Sequence, residues 1–202
     1  MAKATAPGKL ETEIKVCLTD RAAFTAQLPA AGFHVLTAET MERNLLFDTP
    51  ENRLRQRGEL LRIRQYGDRC IVTHKAPAEK SASAMHKVRV ETETEIENGE
   101  ALAAILERLG YKPIFIYEKF RTEWADNEGH IMVDGTPIGD FAELEGEPDW
   151  IDRTAAKLGI PPKNYLTTSY GQLFQDWKRA TRHPAANMTF AEIGIQEPTP
   201  QP

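Results

Sequence analysis

The sequence predicts an α+β domain built on one large antiparallel sheet, and three observations carry that reading. The first is the stretch Leu10 to Leu18, where Glu11, Glu13 and Lys15 alternate strictly with Leu10, Thr12, Ile14, Val16 and Leu18, the period of two that belongs to a β-strand. The second is the return of such a charged face on at least four later strands, each with two or more charges in alternate positions. The third is a series of short turns bearing Gly, Asn or Asp, which join most of seven or eight strands as hairpins.

In chain order, residues 1–9 are small and polar with Pro7 and Gly8, and read as a flexible arm. After the first strand, Thr19 or Asp20 caps a helix that carries Ala23, Phe24, Gln27 and Leu28 on one face; Pro29 ends it before Gly32. Phe33 to Asp48 is extended, with Asp48, Pro50 and Asn52 marking a turn. Strands at 59–66 and 69–76 are joined by Gly67-Asp68. The polar segment Ala78 to Ala84, with Lys80, is expected as a mobile lid. A strand from Met85 to Ile96 leads through Asn98-Gly99 into a helix, Ala101 to Leu109, whose apolar stripe is Leu102, Ile105, Leu106 and Leu109. Strands near 112–125, 130–135 and 138–147 follow, then helices at Pro148 to Leu158 and Ser169 to Ala180. Residues 181–202 carry four prolines after Arg182 and are expected as a flexible tail, leaving 10–180 as one domain.

Composition narrows the class. The chain of 202 residues is long enough for one well-buried core, and its middle has no Ser/Gly-rich or Pro-rich linker. A net charge of -5 argues against a nucleic-acid coat, so a basic site must be local. Cys17 and Cys70 both fall in predicted strands, which indicates neither a disulfide framework nor a zinc cluster and points to the cytoplasm. No segment approaches the ~20 apolar residues of a membrane-spanning helix. The five histidines lack metal-ligand spacing and read as surface or hairpin residues, while Trp150 and Trp177 sit at helical core positions.

Which face is buried decides the architecture. Arg62 and Arg64 share a face, as do Thr73 and Lys75; so do Lys87, Arg89, Glu91, Glu93 and Glu95; so do Lys119, Arg121 and Glu123, and Glu143, Glu145 and Glu147. In a plain two-layer sheet these faces are solvated. In a closed barrel with helices outside, they line a polar lumen. The blocks of Arg, Lys and Glu, without the Ser, Gln and Asn of an ordinary wet face, favour the lumen. Such a lumen is costly unless each charge has a partner, such as a polyanion with its metal ions. A carrier of apolar ligands does not fit, because its inward faces should be apolar.

The residues Glu11-Thr-Glu13-Ile-Lys15, Arg62-Ile-Arg64, Lys75, Lys119-Phe-Arg121, Asp134 and the block Ile138 to Glu145, in this order, resemble the signature of the CYTH, or triphosphate tunnel, superfamily. Arg43 to Pro50 is similar to that family as well, with Leu46-Phe47 where an aromatic pair is usual. The resemblance spans about residues 10 to 180. It implies an eight-stranded antiparallel closed β-barrel with helices packed outside and a C-terminal helix near one end. It also implies one of the family's activities: class IV adenylate cyclase, thiamine triphosphatase or inorganic triphosphatase.

A triphosphate carries about four negative charges, and its chemistry is catalysed mainly by positioning and charge neutralisation. Lys15, Arg62, Arg64, Lys75, Lys119 and Arg121 are the candidate phosphate contacts, with Lys75 and Lys119 the candidates for holding an attacking water. Glu11, Glu13, Glu143 and Glu145 are hard oxygen donors for Mg²⁺ or Mn²⁺. Glu91 and Glu93 are supporting candidates, and Asp134 orients Arg or Lys neighbours. The sequence has neither a Walker A motif nor a Gly-Xaa-Ser-Xaa-Gly elbow. The expected activity is a metal-dependent phosphohydrolase acting on tripolyphosphate, thiamine triphosphate or ATP, as a monomer or homodimer. A class IV adenylate cyclase, or a non-catalytic polyphosphate or nucleotide binder, is the alternative.

Overall fold

Strict alternation gives the first strand its two environments. In the computed structural model, which describes residues 8–78 and 85–196, β1 (Lys9–Leu18) turns Ile14 and Val16 outward onto helices and Glu11, Glu13 and Lys15 into a lumen. The other strands are β2 (His34–Asp48), β3 (Leu60–Tyr66), β4 (Arg69–Pro77), β5 (Lys87–Glu95), β6 (Lys112–Ala125), β7 (His130–Thr136) and β8 (Gly139–Glu145). Among the described residues these eight strands close a single antiparallel barrel in the order β1-β5-β4-β3-β2-β6-β7-β8. The closed barrel predicted from the charged faces is therefore the observed one, and the solvated two-layer sheet is not. The segment Ala78 to Ala84, expected as a lid, lies outside the described residues except for Ala78. Of the expected arm, residues 1–7 also lie outside, and Lys9 already belongs to β1.

The helices are α1 (Arg21–Gln27), α2 (Arg53–Gln56), α3 (Gly99–Arg108), α4 (Pro148–Lys157), α5 (Tyr170–Thr181) and α6 (Phe190–Ile193). Side-chain caps set where they begin: Asp20 accepts from the N–H of Ala23, Asn98 from Ala101 and Ser169 from Gln172. Asp48 accepts from the N–H groups of Thr49, Leu54 and Arg55, which folds the turn between β2 and α2. The main core lies outside the barrel wall, where Ile14, Val16, Trp124, Ile131, Ala142 and Leu144 meet Phe24 of α1, Leu28 at its C-terminal cap, and Trp150, Ile151 and Ala155 of α4. Gly129 and Gly146 are sized by Trp150, because a Cβ on either would come within 2.7 Å of the indole.

A second apolar cluster, Tyr117, Phe141, Tyr170, Phe174, Ala185 and Met188, seats α5 and the segment after it. Residues 181–196 therefore differ from the expected flexible tail. β7 pairs with β6 only from Phe120 onward, leaving the edge at Ile116–Glu118 open, and Met188 fills it by donating to the carbonyl of Ile116 and accepting from the N–H of Glu118. Leu166 does the same for β1, exchanging both hydrogen bonds with Lys15 beyond the end of its pairing with β5. Two other expectations change. On α3, Ile105 and Leu109 are exposed and no residue is fully buried, so the predicted stripe is only half used. His86 is buried rather than on the surface, 3.0 Å from the Asp152 carboxylate of α4.

Candidate active site

Strand parity brings the predicted residues together. Glu11, Glu13 and Lys15 on β1, Arg62 and Arg64 on β3, Lys75 on β4, Glu91 and Glu93 on β5, Lys119 and Arg121 on β6, and Glu143 and Glu145 on β8 all line one cavity of about 420 Å³ inside the barrel. Its size falls in the range of small-molecule sites, roughly 300–1,000 Å³. Asp134 of β7 is fully buried behind this lining and touches the cavity only through its neighbours.

One part of the lumen is a basic clamp. The Arg121 guanidinium forms a fork on Asp134, with Nε and Nη2 each donating over 2.7 Å, and Nη2 also reaches Glu143. Lys119 donates to Asp134 over 3.0 Å, and Lys15 donates to Glu143. Asp134 thus bridges Lys119 and Arg121. Glu42 of β2, fully buried, stands 3.5 Å from Lys119, 3.8 Å from Arg64 and 3.9 Å from Arg121. Burial alone would raise the pKa of Glu42, but Arg64, Lys119 and Arg121 outweigh it and hold the carboxyl far below its ordinary range. Glu143 is depressed in the same way: Lys15, Arg121 and Lys119 overcome its burial. Arg62 donates to the Tyr117 hydroxyl and to Thr73 Oγ1, each over 3.2 Å, and the buried Nε–H groups of Arg62 and Arg64 have no hydrogen-bond partner among the described residues.

The opposite part is rich in carboxylates. Lys75 is gripped by both oxygens of Glu11 at 2.6 Å and by Glu91 at 3.2 Å; burial lowers its pKa, but Glu11 and the other glutamates reverse this, so it stays an ammonium ion. Glu13, paired with Lys87, has a pKa of about 2 because Lys87, then Lys15 and Lys75, outweigh its burial. Glu145 lies directly opposite Glu13 across the β1–β8 ladder, a like-charge pairing that a sheet ordinarily avoids. Burial and the charges of Glu11, Glu13 and Glu91 push Glu145 up to about 7, against the opposing pull of Lys75. Among the described residues no three His, Cys, Asp or Glu side chains already stand as a metal centre, since lysines hold Glu11 and Glu13. The donor set nevertheless fits a hard dication: Glu11, Glu13 and Glu145 are carboxylates sharing one wall, and their mutual repulsion is what a bound cation relieves. Glu143, expected with them, sits instead within the clamp, between Lys15 and Arg121.

The sequence reading put Lys87 on the lumen face without giving it a role, and missed Glu42, Tyr117 and Tyr170. Tyr117 and Lys87 follow from parity, being two residues before Lys119 and four before Glu91 on the same faces. Glu42 carries the only charge on the face Thr40, Glu42, Asn44, Leu46, and so forms no block. Tyr170, the first residue of α5, shares the helix's apolar stripe with Leu173, Phe174 and Trp177, so its period marks it for packing and not for the site.

Comparison with known proteins places these features. The CYTH domain family model matches residues 9–170. Adenylate cyclase CyaB of Aeromonas hydrophila is 30% identical over 179 residues, which is 82% of this chain and 89% of that protein. A Methanocaldococcus jannaschii protein provisionally assigned as an adenylate cyclase is 31% identical over 137 residues, 67% of this chain and 76% of that protein. In fold, a Vibrio parahaemolyticus protein of proposed adenylate cyclase activity superposes with a TM-score of 0.72 at 22% identity, covering 83% of this chain and 99% of its own. HpAC1 of Hippeastrum, for which a dominant triphosphatase activity is described, superposes with a TM-score of 0.58 at 22% identity, covering 82% of this chain and 95% of its own.

Proposed function

This chain belongs to the CYTH family, and we propose that within it the protein is a metal-dependent phosphohydrolase acting on a triphosphate held in the barrel lumen. The observation that carries this reading is the make-up of the cavity wall. Its polar side chains are almost all charged, and among the described lining residues there is no Asn or Gln to read the edge of a base. The hydroxyls of the two tyrosines that line it are already engaged, that of Tyr117 by Arg62 and that of Tyr170 by Asp134. Such a wall selects phosphates.

In this reading Lys15, Lys119, Arg121, Arg62 and Arg64 receive the phosphate oxygens, guanidinium forks fixing orientation and ammonium groups supplying point charge. The buried Nε–H groups of Arg62 and Arg64 are ready donors for them. A magnesium or manganese ion bound through Glu11, Glu13 and Glu145 would supply further neutralisation of the phosphate oxygens. Water attacks the γ-phosphorus as the bond from that phosphorus to its bridging oxygen breaks, the bond's electron pair stays on the diphosphate, the water's proton passes to an oxygen of the transferred phosphoryl group to give orthophosphate, and the diphosphate leaves with its charge balanced by the clamp. Lys75, held as an ammonium ion, acts as a donor that orients and neutralises, not as a base that takes the water's proton.

Adenylate cyclase activity is the second reading, and the 30% identical relative named adenylate cyclase CyaB favours it. Incubation with tripolyphosphate or ATP, with Mg²⁺ or Mn²⁺, and separation of the products by ion chromatography tests both. Orthophosphate released from each compound is the expected result. Cyclic AMP and pyrophosphate in equal amounts, with tripolyphosphate intact, would overturn the hydrolase in favour of the cyclase. Binding without any product would leave a non-catalytic phosphate binder.

A further inference from the structure

We infer that Tyr170 is a positioning residue, whose ring face holds Lys15 and Lys119 in the phosphate clamp and so ties substrate affinity to the docking of α5. The inference rests on the reading above that these lysines receive phosphate. Lys15 Nζ lies 4.3 Å and Lys119 Nζ 4.8 Å from the centroid of the Tyr170 ring. The two lysines belong to β1 and β6, which β7 and β8 separate in the barrel, so one side chain from outside the sheet spans both walls.

The ring itself is fixed. Its hydroxyl donates to Asp134 Oδ2 over 2.6 Å, and it meets the Phe141 ring edge-on at 5.6 Å and the Tyr117 ring at 6.1 Å. It is buried, 6% exposed. A side chain placed here only to fill space would be an aliphatic one, since two desolvated ammonium groups gain nothing from apolar contact. An aromatic face attracts both through its quadrupole and adds no negative charge. That difference matters for a phosphate site. A further carboxylate would hold the lysines equally well but would compete with the anion they are to bind, whereas the ring holds them and leaves their positive charge for the ligand. Because Tyr170 is the first residue of α5, loosening of that helix would release both lysines together.

The test replaces Tyr170 with Phe, with Leu, and with pentafluorophenylalanine, which keeps the ring's shape while reversing its face potential. Binding of tripolyphosphate is measured by calorimetry, and the lysine Hε and Cε resonances by NMR. We expect Tyr170→Phe to keep the dissociation constant within about threefold, and the fluorinated and Leu variants to weaken binding about tenfold. The upfield ring-current shift of the Lys15 and Lys119 signals should survive in Tyr170→Phe and vanish in Tyr170→Leu. The fluorinated variant keeps the test open should Tyr170→Leu not fold. Equal affinity in the Phe and fluorinated variants, or lysine signals unshifted in the native protein, would overturn the inference. A native protein that binds no tripolyphosphate, yet shows the shifted lysine signals, would overturn the phosphate reading and leave the positioning intact.

Discussion

Glu42 has no route to solvent and three cations around it, which makes it the residue on which the clamp's internal balance turns. Replacing it with Gln leaves Arg64, Lys119 and Arg121 short of compensation in a dry site, and removing one partner of such a buried group costs roughly 3–5 kcal/mol. Glu42→Gln should lower the urea midpoint accordingly at pH 7. Because the folded pKa of Glu42 is depressed, its contribution is complete above the unfolded value and fades as pH falls below it, so native and variant stabilities should converge in acid. Glu145 is the opposite case. Its folded pKa is raised to about 7, so its contribution is complete below the unfolded carboxylate value and is lost as pH rises through about 7. Glu145→Gln should therefore match the native protein at pH 4 and exceed it by about 2 kcal/mol at pH 8, allowing for the partial exposure of the group. Urea curves for both proteins at the two pH values measure this, and identical midpoints at pH 8 would refute the like-charge crowding of the carboxylate wall.

At the scale of elements, the sheet was legible because a strand leaves its side chains only two faces, so parity alone assigned Lys15, Arg62, Lys75, Lys119 and Glu143 to the lumen. Helices and edges obey no such rule. Tyr170 enters the site from a helix terminus, and Met188 completes a strand edge whose opening depends on where β7 ends, a fact of register that no local pattern carries. The prolines after Arg182 misled for a related reason: Pro198, Pro200 and Pro202 lie outside the described residues, whereas the described segment is anchored by Met188 and Phe190 with 0% and 2% exposure. Met188→Ala should cost about 3 kcal/mol, as deletion of a fully buried side chain does. Leu10→Ala, at a residue 62% exposed, should change stability by less than about 0.5 kcal/mol. Equal effects in chemical denaturation would show that the segment does not brace β6.

Across the whole molecule, the outer core and the lumen do different work. Trp150, Ile151 and Leu144 hold the barrel from outside, whereas the lumen spends its side chains on ion pairs that a ligand must exchange rather than add to. Lys75 must loosen from Glu11, and Lys15 from Glu143, before either can take a phosphate oxygen. A dication on the freed carboxylates and a polyanion on the freed lysines therefore favour each other, since each compensates the charges that the other leaves unpaired. The expected consequence is positive coupling: tripolyphosphate with Mg²⁺ should raise the melting temperature by more than the sum of the shifts from either alone. At a hundredfold excess over the dissociation constant a ligand adds about 2.7 kcal/mol, and for a chain of this size that corresponds to roughly 5–10 °C. Arg62→Ala should shrink the tripolyphosphate shift, and Glu13→Gln should abolish the excess seen with both ligands while sparing the fold, because Glu13 faces the lumen and braces none of the outer core. Shifts that simply add in the native protein would mean that the carboxylate wall and the clamp act independently, and that the lumen's ion pairs persist when ligand is bound.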